Sequence, residues 1–139
     1  MVSFNATGQG VEIHADVTNV GKDLIVILSG GDVPHVGTVT TWSIDEKKST
    51  TIQFPSHSGR YHKEHILAEL VIEKIKSDVV GNVVITSGVH IDDIRPEQIQ
   101  ESLSLAVQLG QKIKAWVNSN SITYREPIYK KRKLGSYET

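Results

Sequence analysis

The chain has 139 residues, enough for one domain with a substantial core. Its 38% hydrophobic and 22% charged content describe a globular protein, and a formal charge of -1 gives no global attraction to nucleic acid or anionic membrane. The absence of Cys excludes disulfides, thiolate chemistry and Cys-based zinc or iron–sulfur sites. The opening "MVSFNATGQG" has neither a basic region nor an apolar block, so it does not read as a secretory signal. No apolar run is long enough to cross a bilayer, and a cytoplasmic protein is expected.

Residues 11–18, "VEIHADVT", alternate strictly, with Val11, Ile13, Ala15 and Val17 on one face of a strand and Glu12, His14, Asp16 and Thr18 on the other. "NVGK" at 19–22 supplies a turn. The continuous apolar run Leu24 to Leu28 predicts a central strand covered on both faces. Val36 to Ile44 and Ser49 to Phe54 read as two further strands, joined by the charged loop "DEKK". The period then changes. From Tyr61 to Lys76 the residues Ile66, Leu67, Leu70, Val71 and Ile75 recur at helical spacing. "NVVIT" at 82–86 is a short buried strand, and Pro96 opens a second helix. The stripe of that helix runs through Ile99, Leu103, Ala106, Val107, Gly110, Ile113 and Val117. Strands followed by helix, strand and helix predict an α+β fold: a largely antiparallel sheet of about five to six strands with two helices packed on one face. Residues 1–118 are expected as a single domain, with 119–139 as a polar, basic tail.

Three polar, His-bearing segments fall at element ends. "SGGDVPHVG" at 29–37 lies between two expected strands and reads as a hairpin, and its paired glycines would also let a ligand approach the backbone closely. It is neither a Walker loop nor a dinucleotide fingerprint, because a strand follows it. "SHSGRYHKEH" leads into the first helix, where His62 and Lys63 precede Ile66 and Leu67 by one turn and so lie on the core side of the rim. A helix N-terminus has free N–H groups and a positive dipole end, so cations there call for a compensating phosphate or carboxylate. The competing reading has Glu64 offset them while the side chains point to water. "SGVHIDDI" places His90 and Asp92 two apart, a pair suited to acid–base work or metal ligation.

With His35 and His62 these donors would suffice for a divalent ion, but "HKEH" is not the metalloprotease pattern and no spacing is diagnostic of zinc. A metal is not expected. There is no "GxSxG" elbow for a nucleophilic serine. The single basic run, "KKRK" at 130–133, sits in a domain that is not basic, so nucleic acid is not an expected partner. His14 and His57 read as surface residues.

Taken together, "GGDVPHVGTV", "HKEHILAELV" and "SGVHIDDIRPEQI" resemble the small third subunit of bacterial gallate and hydroxyarylic-acid decarboxylase systems, a prenylated-flavin chaperone-like family. The resemblance spans the chain from Lys22 to Val117. It implies a non-catalytic accessory protein that holds or hands over prenylated FMN, or FMN itself. The partners it implies are a prenylated-flavin-dependent aromatic acid decarboxylase and the flavin prenyltransferase that makes the cofactor. Carried over by motif, the ligand-binding positions are Gly30, Gly31, Asp32 and His35, then His62, Lys63 and Glu64, then His90 and Asp92. On physical grounds Lys63, His62 and the helix N-terminus would take the flavin phosphate. The glycine turn would admit the ring or ribityl chain, and Asp32, His35, His90 and Asp92 would give polar contacts.

Two other functions compete. A small enzyme could use His35 and His90 as acid–base groups, with or without a divalent metal. A protein–protein scaffold could use the sheet edges and the helix-free face, with the apolar alternation of residues 11–17 meeting a partner, and a homo-oligomer is expected on that ground. Arg95 ahead of Pro96 is a poor residue for a helix cap.

Overall fold

The structure, a computed structural model, describes residues 1–56 and 64–130. Six strands and two helices follow one another as β1 (Val2–Gly8), β2 (Val11–Val20), β3 (Asp23–Gly31), β4 (Thr38–Ser43), β5 (Lys48–Gln53), α1 (His65–Ile75), β6 (Val83–His90) and α2 (Pro96–Ser119). The sheet order is β1-β2-β3-β6-β4-β5, and only the β3–β6 pair is parallel. Both helices pack on one face, α2 against β1 and β2 and α1 against β4, β5 and β6. The α+β architecture expected from the order of elements is the one observed.

The alternation in β2 does what a one-sided strand requires. Val11, Ile13, Ala15 and Val17 are at most 2% exposed, and they face the helices rather than a partner, so this stripe is not available to a scaffold surface. In β3 the inward set is Leu24, Val26 and Leu28, while Ile25 and Ile27 remain 39% and 42% exposed. The uninterrupted apolar run therefore does not mean cover on both faces: the helices occupy one side of the sheet, and β3 carries apolar residues on both. β1 is not among the strands expected from the sequence. As an edge strand its burial pattern is mixed, and Ala6 is its one buried side chain, which leaves a weak periodic signal.

The α2 stripe is rotated from the expected one. Leu105, Ala106, Leu109, Gly110 and Ile113 are buried with Gln98 and Ser102, whereas Ile99 is 48% exposed. The polar residues at the start of the helix set the phase. Gln98 accepts the Arg95 amide at 3.0 Å and donates to the Gln9 carbonyl at 3.2 Å, tying the helix start to the β1–β2 turn. Arg95 is thus tolerated at the cap because Gln98, three residues on, satisfies its N–H. In α1 the buried set is Leu67, Ala68, Val71, Ile72 and Ile75, and Ile66, assigned to the stripe by spacing, is 45% exposed.

The largest correction concerns the segment after β3. "SGGDVPHVG" is not a hairpin, because β6 lies between β3 and β4. Residues 32–37 cross the C-terminal end of β6, hydrogen-bonding to it on the way: Asp32 N–H to the His90 carbonyl at 2.6 Å and Gly37 N–H to the Ser87 carbonyl at 2.9 Å. The local composition signals a turn correctly, but which strand pairs with which is settled by a strand that comes much later in the chain, after α1.

Candidate functional site

The crossover, the start of α1 and the end of β6 meet at one end of the sheet, beyond the C-terminal ends of the parallel pair β3 and β6. That is the position where open sheets with parallel strands most often hold ligands. Three contacts define the junction. His35 Nε2 lies 3.0 Å from Glu64 Oε1, Ser87 Oγ donates to the Glu64 carbonyl at 3.0 Å, and Asp92 N–H donates to Asp32 Oδ2 at 2.9 Å. The crossover is therefore joined to the start of α1 through His35 and to the end of β6 through Asp32. His90 Nε2 and Asp92 Oδ1 form a separate pair at 3.0 Å.

The two His–carboxylate pairs differ in setting. The side chains of His35 and Glu64 are 24% and 13% exposed, those of His90 and Asp92 54% and 71%. His35 Nδ1 lies 2.9 Å from the Val33 carbonyl, which can only accept, so Nδ1 carries a hydrogen. Nε2 faces the carboxyl oxygen of Glu64. Among the described residues His35 is held between the Val33 carbonyl of the crossover and Glu64 at the start of α1.

Glycine at 30 and 31 is dictated by the chain itself. A Cβ on Gly30 would run into the Glu12 carbonyl, and one on Gly31, whose φ is +73°, into the carbonyl of His90. At Gly88 a Cβ would strike the His35 carbonyl, so this glycine is what lets the crossover pass so close to β6. The space that these missing side chains leave is filled by backbone and not held open for a ligand. His62 and Lys63, and with them the expected phosphate contacts, lie outside the described residues, as does His57. Within the described residues α1 begins at His65, with Glu64 at its N-cap. His14, on the helix-free face, bonds to Asn5 and lies 3.3 Å from Glu12.

Sequence reasoning missed the buried hydroxyls beside this junction. Thr38 and Ser87 are opposite one another in the β4–β6 ladder, and Thr38, Thr40 and Ser87 are all 0% exposed. Thr40 Oγ1 bonds to Thr51 Oγ1 at 2.9 Å, and Ser87 bonds to the helix start, but Thr38 Oγ1 has no hydrogen-bond partner among the described residues. A period-2 reading of "TVTTW" would have found the two threonines, since it puts Thr38, Thr40 and Trp42 on one face. Among the described residues no group of three or more His, Asp or Glu side chains is placed to hold a metal ion. No helix among them is long and apolar enough to cross a membrane.

Comparison with known proteins adds to this geometry. The model of the prenylated flavin chaperone LpdD-like domain matches residues 7–118. The chain belongs to that family. It is also 30% identical over 129 residues to Protein LpdD of Lactiplantibacillus plantarum (strain ATCC BAA-793 / NCIMB 8826 / WCFS1), an alignment that covers 93% of this chain and 94% of that one. The resemblance drawn from three motifs is to this same prenylated flavin chaperone family, and the match extends it to include β2 and the end of β1. A chaperone of prenylated flavin is by description an accessory protein, which agrees with the non-catalytic role expected from the motifs.

The described rim is richer in carboxylates than in cations. Asp32, Glu64 and Asp92 bring three carboxylates to the junction, against the two imidazoles of His35 and His90. Such a set can accept from N–H and O–H groups and donate to carbonyl oxygens of a polar ligand. A phosphate dianion would be repelled there unless cations join it.

Proposed function

We propose that this protein is a non-catalytic accessory protein that binds prenylated FMN, or FMN, and hands it to a prenylated-flavin-dependent aromatic acid decarboxylase in the cytoplasm. The observation that carries this reading is the meeting of the crossover, the α1 start and the β6 end around the half-buried His35–Glu64 pair, in a chain of the prenylated flavin chaperone family. His35, Glu64, Asp32, His90 and Asp92 hold the polar edge of the ring and the ribityl hydroxyls. The phosphate is assigned to His62 and Lys63 on the sequence argument alone, since the carboxylate-rich rim cannot supply the positive charge. Gly30 and Gly31 serve the site indirectly, by letting the crossover form. This chain would bind the flavin, orient it and release it to the decarboxylase, where the flavin supplies the chemistry of that enzyme.

The test is an anaerobic titration of the full-length protein with FMN and with prenylated FMN, followed by flavin fluorescence. Wild type is expected to bind the prenylated form. Glu64→Gln keeps the shape of the pair but removes its charge and should weaken binding about tenfold, the scale of one charge-assisted hydrogen bond. Lys63→Glu should weaken prenylated FMN by a similar or larger factor. Absence of binding of either flavin by wild type would end the flavin reading, and equal affinity in Lys63→Glu would move the phosphate elsewhere.

A further inference from the structure

The helix-free face of the sheet is apolar where a solvated antiparallel face is usually polar. Ile27, Thr86, Val39 and Ile52 follow one another in one cross-strand row, and Ile25 and Val84 stand side by side in the next. Ile25 and Ile27 are well exposed and Ile52 is 62% exposed, a continuous surface of the kind that marks an interface. Toward β2 the same face turns acidic. Asp16 stands next to Ile27 in the row and accepts from the Ser3 hydroxyl at 2.6 Å, and Glu12 lies 3.3 Å from His14. Neither carboxylate has a Lys or Arg partner among the described residues. Of the lysines at the border of this face, Lys22 is taken by Glu126, and Lys48 is on β5, at the far edge from β2.

The chain also carries the complement of that face. Residues 121–130 follow α2 without helix or strand, and they are tied to the body as far as Glu126, which pairs with Lys22 at 3.0 Å. Beyond Glu126 no hydrogen bond or ion pair holds residues 127–130 among the described residues. Ile128 is 82% exposed and Tyr129 55%, and the basic run "KKRK" begins at Lys130. This arm presents two apolar residues followed by cations; the face presents isoleucines beside two carboxylates. Within one copy the two do not meet, because Glu126 is held at the β2–β3 turn and Ile128 points away from the body.

We propose that the arm from Pro127 onward docks on the helix-free face of a second copy of this chain, reciprocally, so that two copies form a two-fold dimer. Ile128 and Tyr129 of one copy cover Ile25 and Ile27 of the other, and the cationic run meets Asp16 and Glu12. Each copy offers one arm and one face, so a closed pair satisfies both and leaves neither free to recruit a third copy. The His35–Glu64 junction takes no part in the exchange, and the inference does not depend on the flavin reading.

The test is sedimentation velocity of the full-length protein over a range of concentrations, joined to isotope-filtered NOEs in a mixture of labelled and unlabelled chains. Wild type is expected to dimerise, with contacts from Ile128 or Tyr129 of one chain to Ile25 or Ile27 of the other. Ile128→Asp, at a position that its own fold leaves exposed, should raise the dissociation constant about tenfold or more, the scale of one buried aliphatic side chain. Ile27→Thr, which keeps the branch at Cβ and with it the strand, should weaken association from the other side of the contact. Asp16→Lys should weaken it roughly two- to fivefold, the scale of one exposed ion pair, and less in strong salt. The proposal is overturned if wild type stays monomeric at every concentration, or if Ile128→Asp and Ile27→Thr leave a dimer of unchanged affinity. It is also overturned if the NOEs place the arm on the face of its own chain.

Discussion

The two halves of the sheet bury opposite chemistry against their helices. Behind β2 and β3 the inward strand residues are all apolar, Val11, Ile13, Ala15, Val17, Leu24, Val26 and Leu28, packed with Leu105, Leu109 and Ile113 of α2, and the buried polar side chains Gln98 and Ser102 lie toward the start of that helix. Behind β4 the same layer holds Thr38, Thr40 and Trp42, and the facing residue of β6 is Ser87. Hydroxyls and an indole N–H in that position are costly to bury unless paired, and two of the polar atoms, Thr38 Oγ1 and Trp42 Nε1, have no partner among the described residues. One half is built for stability. The other gives up some stability next to the His35–Glu64 junction, which is where proteins characteristically break local rules for function.

The comparison is broken most severely by a cavity in the apolar half. Leu28 is 0% exposed at the centre of the sheet. Leu28→Ala is expected to lower unfolding stability by about 2–5 kcal/mol, measured by chemical denaturation, because the transfer free energy of the lost methyls adds to the cost of an unfilled space. If the loss proved smaller than that of an Ile66→Ala change on the half-open α1 surface, the division into a stabilising and a functional half would not stand.

The second prediction has the opposite sign. Thr38→Val replaces a buried, unpartnered hydroxyl by a methyl group of nearly the same size. It is expected to raise stability by about 1 kcal/mol, toward the lower end of the cost of an unsatisfied buried polar group. Thr40→Val, by contrast, should be neutral or destabilising, because Thr40 bonds to Thr51. A pair of thermal melts separates the two. If Thr38→Val also lowers affinity in the flavin titration, the orphaned hydroxyl is part of the binding site.

This division was only half legible in the sequence. The apolar half announces itself through the strict alternation of β2 and the long period of α2, signals that depend on neighbours along the chain. The flavin-chaperone motifs were legible for the same reason, being contiguous. Three things depend instead on contacts distant in sequence. β6 enters between β3 and β4, so the Gly-Gly segment is a crossover and not a hairpin. The start of α2 is tied by the hydrogen bond of Gln98 to the Gln9 carbonyl, which goes with the turned stripe. The pairing of His35 with Glu64 exists only because that crossover passes the start of α1. The polar face of β4 was available in "TVTTW", but Thr is as much a strand former as Val, and a propensity reading does not ask which face each one takes.

The smallest expected effect asks whether the residues after α2 belong to the stabilising half. Ile122 and Tyr124 line a small cavity of about 130 Å³ with Leu24, Val79 and Val117, at the end of the sheet away from the His35–Glu64 junction. Lys22, in the β2–β3 turn, holds this segment through Glu126 at 3.0 Å. The hydrogen bond and charge of Glu126 raise the Lys22 ammonium above its ordinary value of 10.5. A raised folded-state pKa means that the folded protein binds this proton more tightly than the unfolded chain does. The contribution is therefore fully present below pH 10.5 and is lost as pH climbs through the higher folded value. Both side chains are well exposed, so the effect is screened and should fade in high salt. Thermal melts of wild type and Lys22→Met should differ slightly at neutral pH and low salt, and converge both in strong salt and above the titration. A difference that persists in strong salt and at high pH would mean that Lys22 acts through packing of its stem against the cavity and not through its charge.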